Sequence, residues 1–459
     1  MPHRDQHKAN AEPSQAQTSA EQCWNALVQE RLPASLEAQA HALGAFQRVR
    51  AVASAQVLLR ALLCYVLSLS SLKQLSGWSR LVGVSSSVIS APAWHKRLQN
   101  SYRWLLWLCS ALLAVRLTTG RLPSSQRILL VDATHLSEMG PKGDVWTLHC
   151  AYDLLAGQLA WVQVTDQHQG ESFTHFPIQP GDILVADGAY SRASQLLAVD
   201  AAHAFSLTRF SPCHLPVYAP QAPTDTRDFR VDVVGWLHGL QPGMYQRQAV
   251  VLAEGKRIAV RLIAVALPVE QAEALRRHKQ RLARDKGRTL SDQALFLAGF
   301  HLLVTTLPEP QWPLALVLEL YQARWQIEIL FKRIKQVLET HRLPCRCPQS
   351  AQALIAALLV AWLLIEDEAS DLRRQITDAE PLRLPVSSWQ LNQWAKASLQ
   401  NVVRGWWSPH QLRALAPELR RLFHDKRRRP LREQQRQVRF HAFLEAKHDL
   451  GSFFTCSCT

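Results

Sequence analysis

Asp132 and Asp187 each follow a short run of apolar residues, Ile128 to Val131 and Ile183 to Ala186. Continuous apolar runs of that length read as strands buried on both faces. In an open α/β sheet, the carboxyl ends of such strands are where ligands and catalytic groups collect. Two carboxylates on neighbouring strands could share a pair of divalent cations about 3.5–4 Å apart, which activate the attacking oxygen and stabilise the leaving one in phosphoryl transfer. An all-oxygen ligand set suits Mg2+ or Mn2+. Aspartate after a strand also caps turns, so these two positions alone leave both readings open.

A third carboxylate lies where apolar residues recur at helical spacing. The pattern predicts one long helix from Leu316 to Leu338. At 100° per residue, Tyr321, Arg324, Glu328, Lys332 and Lys335 fall within about 80° of one another on it. Ile327, Leu330, Phe331, Ile334 and Leu338 lie roughly a quarter turn away. One acid is therefore flanked by cations on a stripe that borders the packed face. Arg324–Glu328 and Glu328–Lys332 have the spacing of ordinary helical ion pairs, worth roughly 0.2–0.5 kcal/mol each. A metal-binding glutamate among phosphate-binding neighbours has the same spacing, and helix geometry does not choose between them.

Tyr321-x2-Arg324-x3-Glu328-x6-Lys335 resembles, with the same spacing, the Tyr-Arg-Glu-Lys signature of bacterial insertion-sequence DDE transposases of the IS-four group. Leu129 to Thr134, around Asp132, resembles that family's first catalytic block, and Asp187-Gly188-Ala189-Tyr190 resembles its second. The resemblance covers roughly residues 45–345. It implies an α/β fold: an RNase H-like catalytic core interrupted by a β-rich insertion, with helical N-terminal and C-terminal regions. It implies that Asp132, Asp187 and Glu328 are the catalytic carboxylates and hold two Mg2+ (or Mn2+) ions. Tyr321, Arg324, Lys332 and Lys335 would contact DNA phosphates near the cleaved end. In relatives that cut through a hairpin intermediate, an aromatic side chain of the insertion caps a flipped base. The matching stretch here offers Phe300 and His301 rather than an evident tryptophan; Trp236 and Trp312 are further candidates for that role or for core packing.

The elements that must position these residues follow from patterning. Residues 1–22 are polar, lack the apolar centre of a secretory signal, and read as a disordered leader. Residues 23–122 form a helical domain, with Val57, Leu58, Ala61, Leu62 and Tyr65 on one apolar stripe. Within it, Ser71 to Leu75, Gly83 and the serines Ser85 to Ser87 suggest a helix-turn-helix whose second helix the serine run caps, a candidate for DNA end recognition. Residues 123–202 make the first part of the catalytic core, with strands at Val145–Tyr152 and Leu159–Thr165 joined as a hairpin. Residues 203–310 read as a separate β-rich insertion with strands at Phe229–Val234, Gln246–Leu252, Ile258–Ala266 and Phe300–Thr305. Its basic stretch, Arg276 to Arg288, holds seven Lys or Arg and one Asp. Residues 311–348 carry the Glu328 helix, and 349–459 form a helical, basic C-terminal region that includes Lys426 to Arg429. The apolar runs Trp104–Val115 and Ala353–Ile365 fall short of the ~20 residues that span a bilayer and read as buried helices.

Over 459 residues, 52 Lys and Arg against 37 Asp and Glu give a net charge of +15, which points to a polyanionic partner. A 47% hydrophobic and 19% charged composition excludes a disordered chain. The nine cysteines include two Cys-x-Cys pairs, Cys345/Cys347 and Cys456/Cys458, without zinc-site spacing. A reduced, cytoplasmic, nucleoid-associated protein with no membrane partner is expected. With the resemblance, the expected function is a DNA transposase that cleaves insertion-sequence ends and joins the 3′-hydroxyl to target DNA. Its partners would be duplex terminal inverted repeats and target DNA, held by a homodimer in a synaptic complex. The alternatives are an inactive, DNA-binding repressor of the element and a metal-dependent nuclease without strand transfer.

Overall fold

The structure is a computed structural model that describes residues 15–119, 127–138, 145–224, 228–339, 343–345, 347–379 and 387–405. Six helices come first: α1 (Gln15–Arg31), α2 (Leu36–Ala42), α3 (Ala55–Ser68), α4 (Leu72–Leu81), α5 (Ala91–Asn100) and α6 (Tyr102–Thr119). Helix α1 begins inside the stretch expected to be a disordered leader, because Trp24, Leu27 and Val28 give it an apolar stripe that packs into the core. Residues 1–14 lie outside the described residues. Helices α4 and α5 do follow one another across a turn at Gly83, whose φ of 76° suits glycine. The cap of α5 is not the serine run, however, but Ser90, whose Oγ accepts from the Ala93 N–H at 3.4 Å. Ser85 turns inward, with its Oγ 3.2 Å from that of Ser79.

The sheet has eight strands: β1 (Ile128–Ser137), β2 (Val145–Asp153), β3 (Gln158–Asp166), β4 (Ile183–Ala186), β5 (Phe205–Arg209), β6 (Gly243–Ala253), β7 (Lys256–Ala266) and β8 (Phe300–Thr305). Their order is β3-β2-β1-β4-β5-β8-β7-β6. The first three form an antiparallel meander; β4 and β5 run parallel to β1; and β8 joins antiparallel to both β5 and β7. Three expectations change. Strand β5, in the stretch that the sequence assigns to the insertion, pairs with β4. The insertion is not a separate sheet: its strands lengthen the core sheet through β8, although they enclose an apolar cluster of their own around Val251, Ile258, Leu262 and Val304. And Phe229–Val234 is not a strand; it leads into a short helix capped by Asp232, whose carboxylate accepts from the Gly235 N–H at 2.9 Å.

Helix α7 (Ala193–Ala201) connects β4 to β5, and the short helix over Val233–Leu237 is α8. The basic stretch forms most of α9 (Val269–Asp285), which is followed by α10 (Asp292–Leu297). The expected long helix is two helices, α11 (Leu314–Ala323) and α12 (Trp325–Val337), which meet at Arg324. Arg324 keeps helical angles, but its N–H donates to the Tyr321 carbonyl at 3.1 Å and its own carbonyl accepts from Ile327 at 3.2 Å. These i→i+3 bonds tighten the chain into one 3₁₀-like turn. Helix α13 (Pro348–Ala379) is long and apolar enough to cross a membrane by length and composition, yet its most apolar part is mostly buried within the protein. It packs against α3, α5, α6 and α14 (Ser388–Arg404). The basic tail, including Lys426 to Arg429 and Cys456/Cys458, lies outside the described residues.

Candidate active site

The two aspartates owe their proximity to strand register. β1 and β4 pair as Ile128–Ile183, Leu129–Leu184 and Leu130–Val185. Carried two residues further, that register sets Asp132 beside Asp187, where the two strands part. Asp187 follows β4 as expected, and its Oδ1 accepts from the Ala189 N–H at 2.8 Å, capping a single 3₁₀ turn. Asp132 does not end its strand: β1 runs on to Ser137, because β2 continues to pair with it after β4 has left. A buried ion pair fixes the register from behind. Arg127 Nε donates to Asp182 Oδ1 at 2.7 Å, a second guanidinium nitrogen reaches Oδ2, and both residues are nearly sealed from solvent.

Helix α12 packs against β1 through its apolar face and brings Glu328 to the same crevice. The Arg324 guanidinium lies between two of the acids, with Nη2 2.6 Å from Glu328 Oε1 and Nη1 3.7 Å from Asp132 Oδ2. The cation and both acids are mostly shielded, with side-chain exposures of 18%, 29% and 15%. Burial pushes the Asp132 carboxyl up to about 6, and the charges of Asp187 and Glu328 add to the rise. The Ala133 N–H, which donates to Asp132 at 2.8 Å, and Arg324 oppose it. Burial alone would lower the pKa of Arg324, but its hydrogen bond to Glu328 and the charges of Glu328 and Asp132 leave it raised overall.

Of the other expected phosphate contacts, Tyr321 has its ring centroid 6.0 Å from the Arg324 guanidinium, and Arg209 and Asp187 both act on its phenol electrostatically. Lys335 is half-buried, and burial lowers its pKa. Lys332 is exposed, with Nζ 4.9 Å from the Trp325 ring centroid. The sequence did not single out Glu171. This half-buried acid in the loop between β3 and β4 is pushed up to about 7 by burial, then by the charges of Asp187 and Asp132, with Arg192 opposing. No spacing connects Glu171 to the other acids; only the return of the chain to β4 does. Beside the Asp187 turn, a cavity of about 510 Å³ is lined by Arg192, Arg209, Lys279, Phe210 and Phe300. Trp236 and Trp312, by contrast, are partly buried against the apolar clusters.

Residues 123–364 match the family model described as a transposase DDE domain. The InsL protein of insertion sequence element IS186A from Escherichia coli strain K12 is 32% identical over 352 residues, covering 75% of this chain and 93% of the relative. The transposase for insertion sequence element IS421 from Escherichia coli is 32% identical over 353 residues, with the same coverage of 75% and 93%. The transposase for insertion sequence element IS231B from Bacillus thuringiensis subsp. berliner is 25% identical over 297 residues, covering 57% of this chain and 62% of the relative. A family model matched across the strands and helix that converge on Asp132, together with relatives of this identity and extent, establishes that the chain belongs to the DDE transposase family and is a DNA transposase of the insertion-sequence kind.

Proposed function

We propose that Asp132, Asp187 and Glu328 are the catalytic carboxylates of this transposase. Tyr321, Arg324, Lys332 and Lys335 would hold the phosphates of the DNA being cut. The observation that carries this reading is the Arg324 guanidinium set between Asp132 and Glu328, which ties two acids far apart in sequence into one electrostatic unit. The order β3-β2-β1-β4-β5, three antiparallel strands followed by two parallel ones, supports an RNase H-like core. The family uses divalent metal ions. The donors here, three carboxylates and no sulfur or imidazole, suit two Mg2+ or Mn2+ ions. Among the described residues, no three acidic, histidine or cysteine side chains are close enough to enclose an ion as they stand. Arg324, paired with Glu328 and close to Asp132, offsets part of their charge. Bound there, divalent ions would activate the attacking oxygen and stabilise the leaving one.

The chain's own residues do the rest. Arg324 has a planar fork suited to two phosphate oxygens. Tyr321 can donate its phenolic hydrogen to a phosphate oxygen, and Lys332 and Lys335 neutralise backbone charge along α12. Water breaks the 3′ P–O bond at the element's end and frees a 3′-hydroxyl. That hydroxyl then attacks a target phosphorus in line, and the target's 3′ oxygen leaves. Two ends must be held together for joining, so the working form is a homodimer on terminal inverted repeats and target duplex.

Cleavage of duplex carrying the element's own ends tests the assignment. Glu328→Ala should abolish nicking in Mg2+ while binding persists, and EDTA should do the same to wild type. Wild type that binds the ends but cuts them with neither Mg2+ nor Mn2+ would favour a repressor. The cavity beside Asp187 also supports a base-flipping role for Phe300, since an aromatic wall with three cations suits a stacked nucleotide. Phe300→Ala should then slow hairpin-dependent double-strand release about tenfold or more and leave first-strand nicking unchanged, measured on end-labelled DNA.

A further inference from the structure

On the N-terminal helices lies a cleft that the catalytic elements do not touch. Its volume is about 400 Å³, and its lining carries Arg48 and Arg50 from the α2–α3 connection, Lys96 and Arg97 from α5, and no carboxylate. Gln47 and Asn100 are the remaining polar side chains of the lining. Arg48, Arg50 and Lys96 are exposed, and among the described residues none of the four cations forms an ion pair with an acid. Arg97 is braced where it stands: Nη1 donates to the Ala93 carbonyl at 3.1 Å, and the guanidinium lies 5.8 Å from the Trp94 ring centroid. Partial burial, and then the charge of Arg50, hold it below the usual arginine range. Four uncompensated cations facing one space repel one another unless an anion joins them.

We propose that this cleft grips the sugar-phosphate backbone of duplex DNA, as a second anchor independent of the metal-binding acids. The inference rests on the reading of the chain as a DNA-cutting transposase and names residues outside its catalytic elements. The cations come from two separate elements and are mostly exposed, an arrangement that suits a strand passing over the surface. Duplex DNA offers one negative charge per about 1.7 Å of helix axis, so a run of phosphates can meet several of these side chains together. The contact positions DNA without reading its bases.

The test uses the full-length protein and fluorescence anisotropy on a duplex carrying the element's end, at several salt concentrations. Each lost phosphate contact flattens the plot of log K against log salt by about 0.9. The variant Arg48→Gln/Arg50→Gln/Lys96→Gln should therefore bind at least about tenfold more weakly at low salt, with a slope shallower by about 2–3. Lys256→Gln, an exposed cation at the start of β7, should keep the wild-type slope. In wild type, duplex DNA should also protect Lys96 from acylation, read by mass spectrometry, which decides the matter even if the triple variant fails to fold. An unchanged slope in a folded triple variant, or Lys96 equally reactive with and without DNA, overturns the cleft while leaving the transposase reading intact. Protection by inorganic pyrophosphate but not by duplex overturns it in favour of a free-phosphate site. Wild type that does not bind the duplex at all overturns both.

Discussion

Burial sets the Glu171 carboxyl at about 7 and that of Asp132 at about 6, so near neutral pH this crevice carries less negative charge than its four acids suggest. Both values lie above those of the unfolded chain, roughly 4. The folded state therefore holds these protons longer. The stability they contribute is complete below about pH 4 and is lost as pH rises through about 6 to 7. Melting of the metal-free protein should accordingly fall between pH 5 and 7.5, and Glu171→Gln should flatten that slope. Glu171 releases its proton above the range in which Asp132 ionises, so the same substitution should leave the acid limb of the pH–cleavage curve where it is. A melting slope that Glu171→Gln leaves unchanged would place Glu171 outside this linkage. Glu171 also marks where linear reading stops. Asp132, Asp187 and Glu328 announce themselves by neighbours in sequence, an apolar strand or a spaced helical stripe, whereas Glu171 joins them only by a loop's return.

The same contrast holds for the elements. Buried strands such as β4 are legible because two-sided burial demands an unbroken apolar run, and α13 is legible because a core helix needs the same. Pairing partners are not written that way: nothing in Phe205–Arg209 says that it lies beside β4 rather than within the insertion. Nor does helical periodicity show the break at Arg324, since a single 3₁₀-like turn hardly rotates the stripe. That turn places the guanidinium within reach of both Asp132 and Glu328. The pair behind the strands, Arg127 with Asp182, was likewise hidden, being an arginine before one strand and an aspartate before another. Loss of one partner leaves a buried charge unmatched, at a cost of about 3–5 kcal/mol. Arg127→Ala should lower stability to urea by that amount. It should also cut end cleavage more than duplex binding, because the β1–β4 register sets Asp132 beside Asp187. Equal loss of both activities would mean that the pair serves the fold alone.

Across the whole molecule, one apolar core runs from the N-terminal helices through α13 to the face of the sheet that receives α12. Its polar centre is Arg116 on α6, which meets Glu366 and Asp367 of α13, each at 2.7 Å, and donates to the Leu159 carbonyl of β3 at 3.0 Å. Glu366 in turn accepts from the Leu159 N–H at 3.2 Å, so helix, helix and sheet edge share a single knot. An assembly joined in this way should unfold as one unit rather than shed its helices first. Breaking the knot on one side costs more than removing it, because an unmatched buried acid remains. Arg116→Met alone should destabilise by about 3–5 kcal/mol. Adding Glu366→Leu should recover part of that loss, although the Leu159 N–H then loses its acceptor at about 1–3 kcal/mol. Calorimetry on the three proteins decides between the views. One transition that moves as a whole supports a shared core, whereas two transitions, of which Arg116→Met shifts only the earlier, would mean that the helical body and the sheet fold independently.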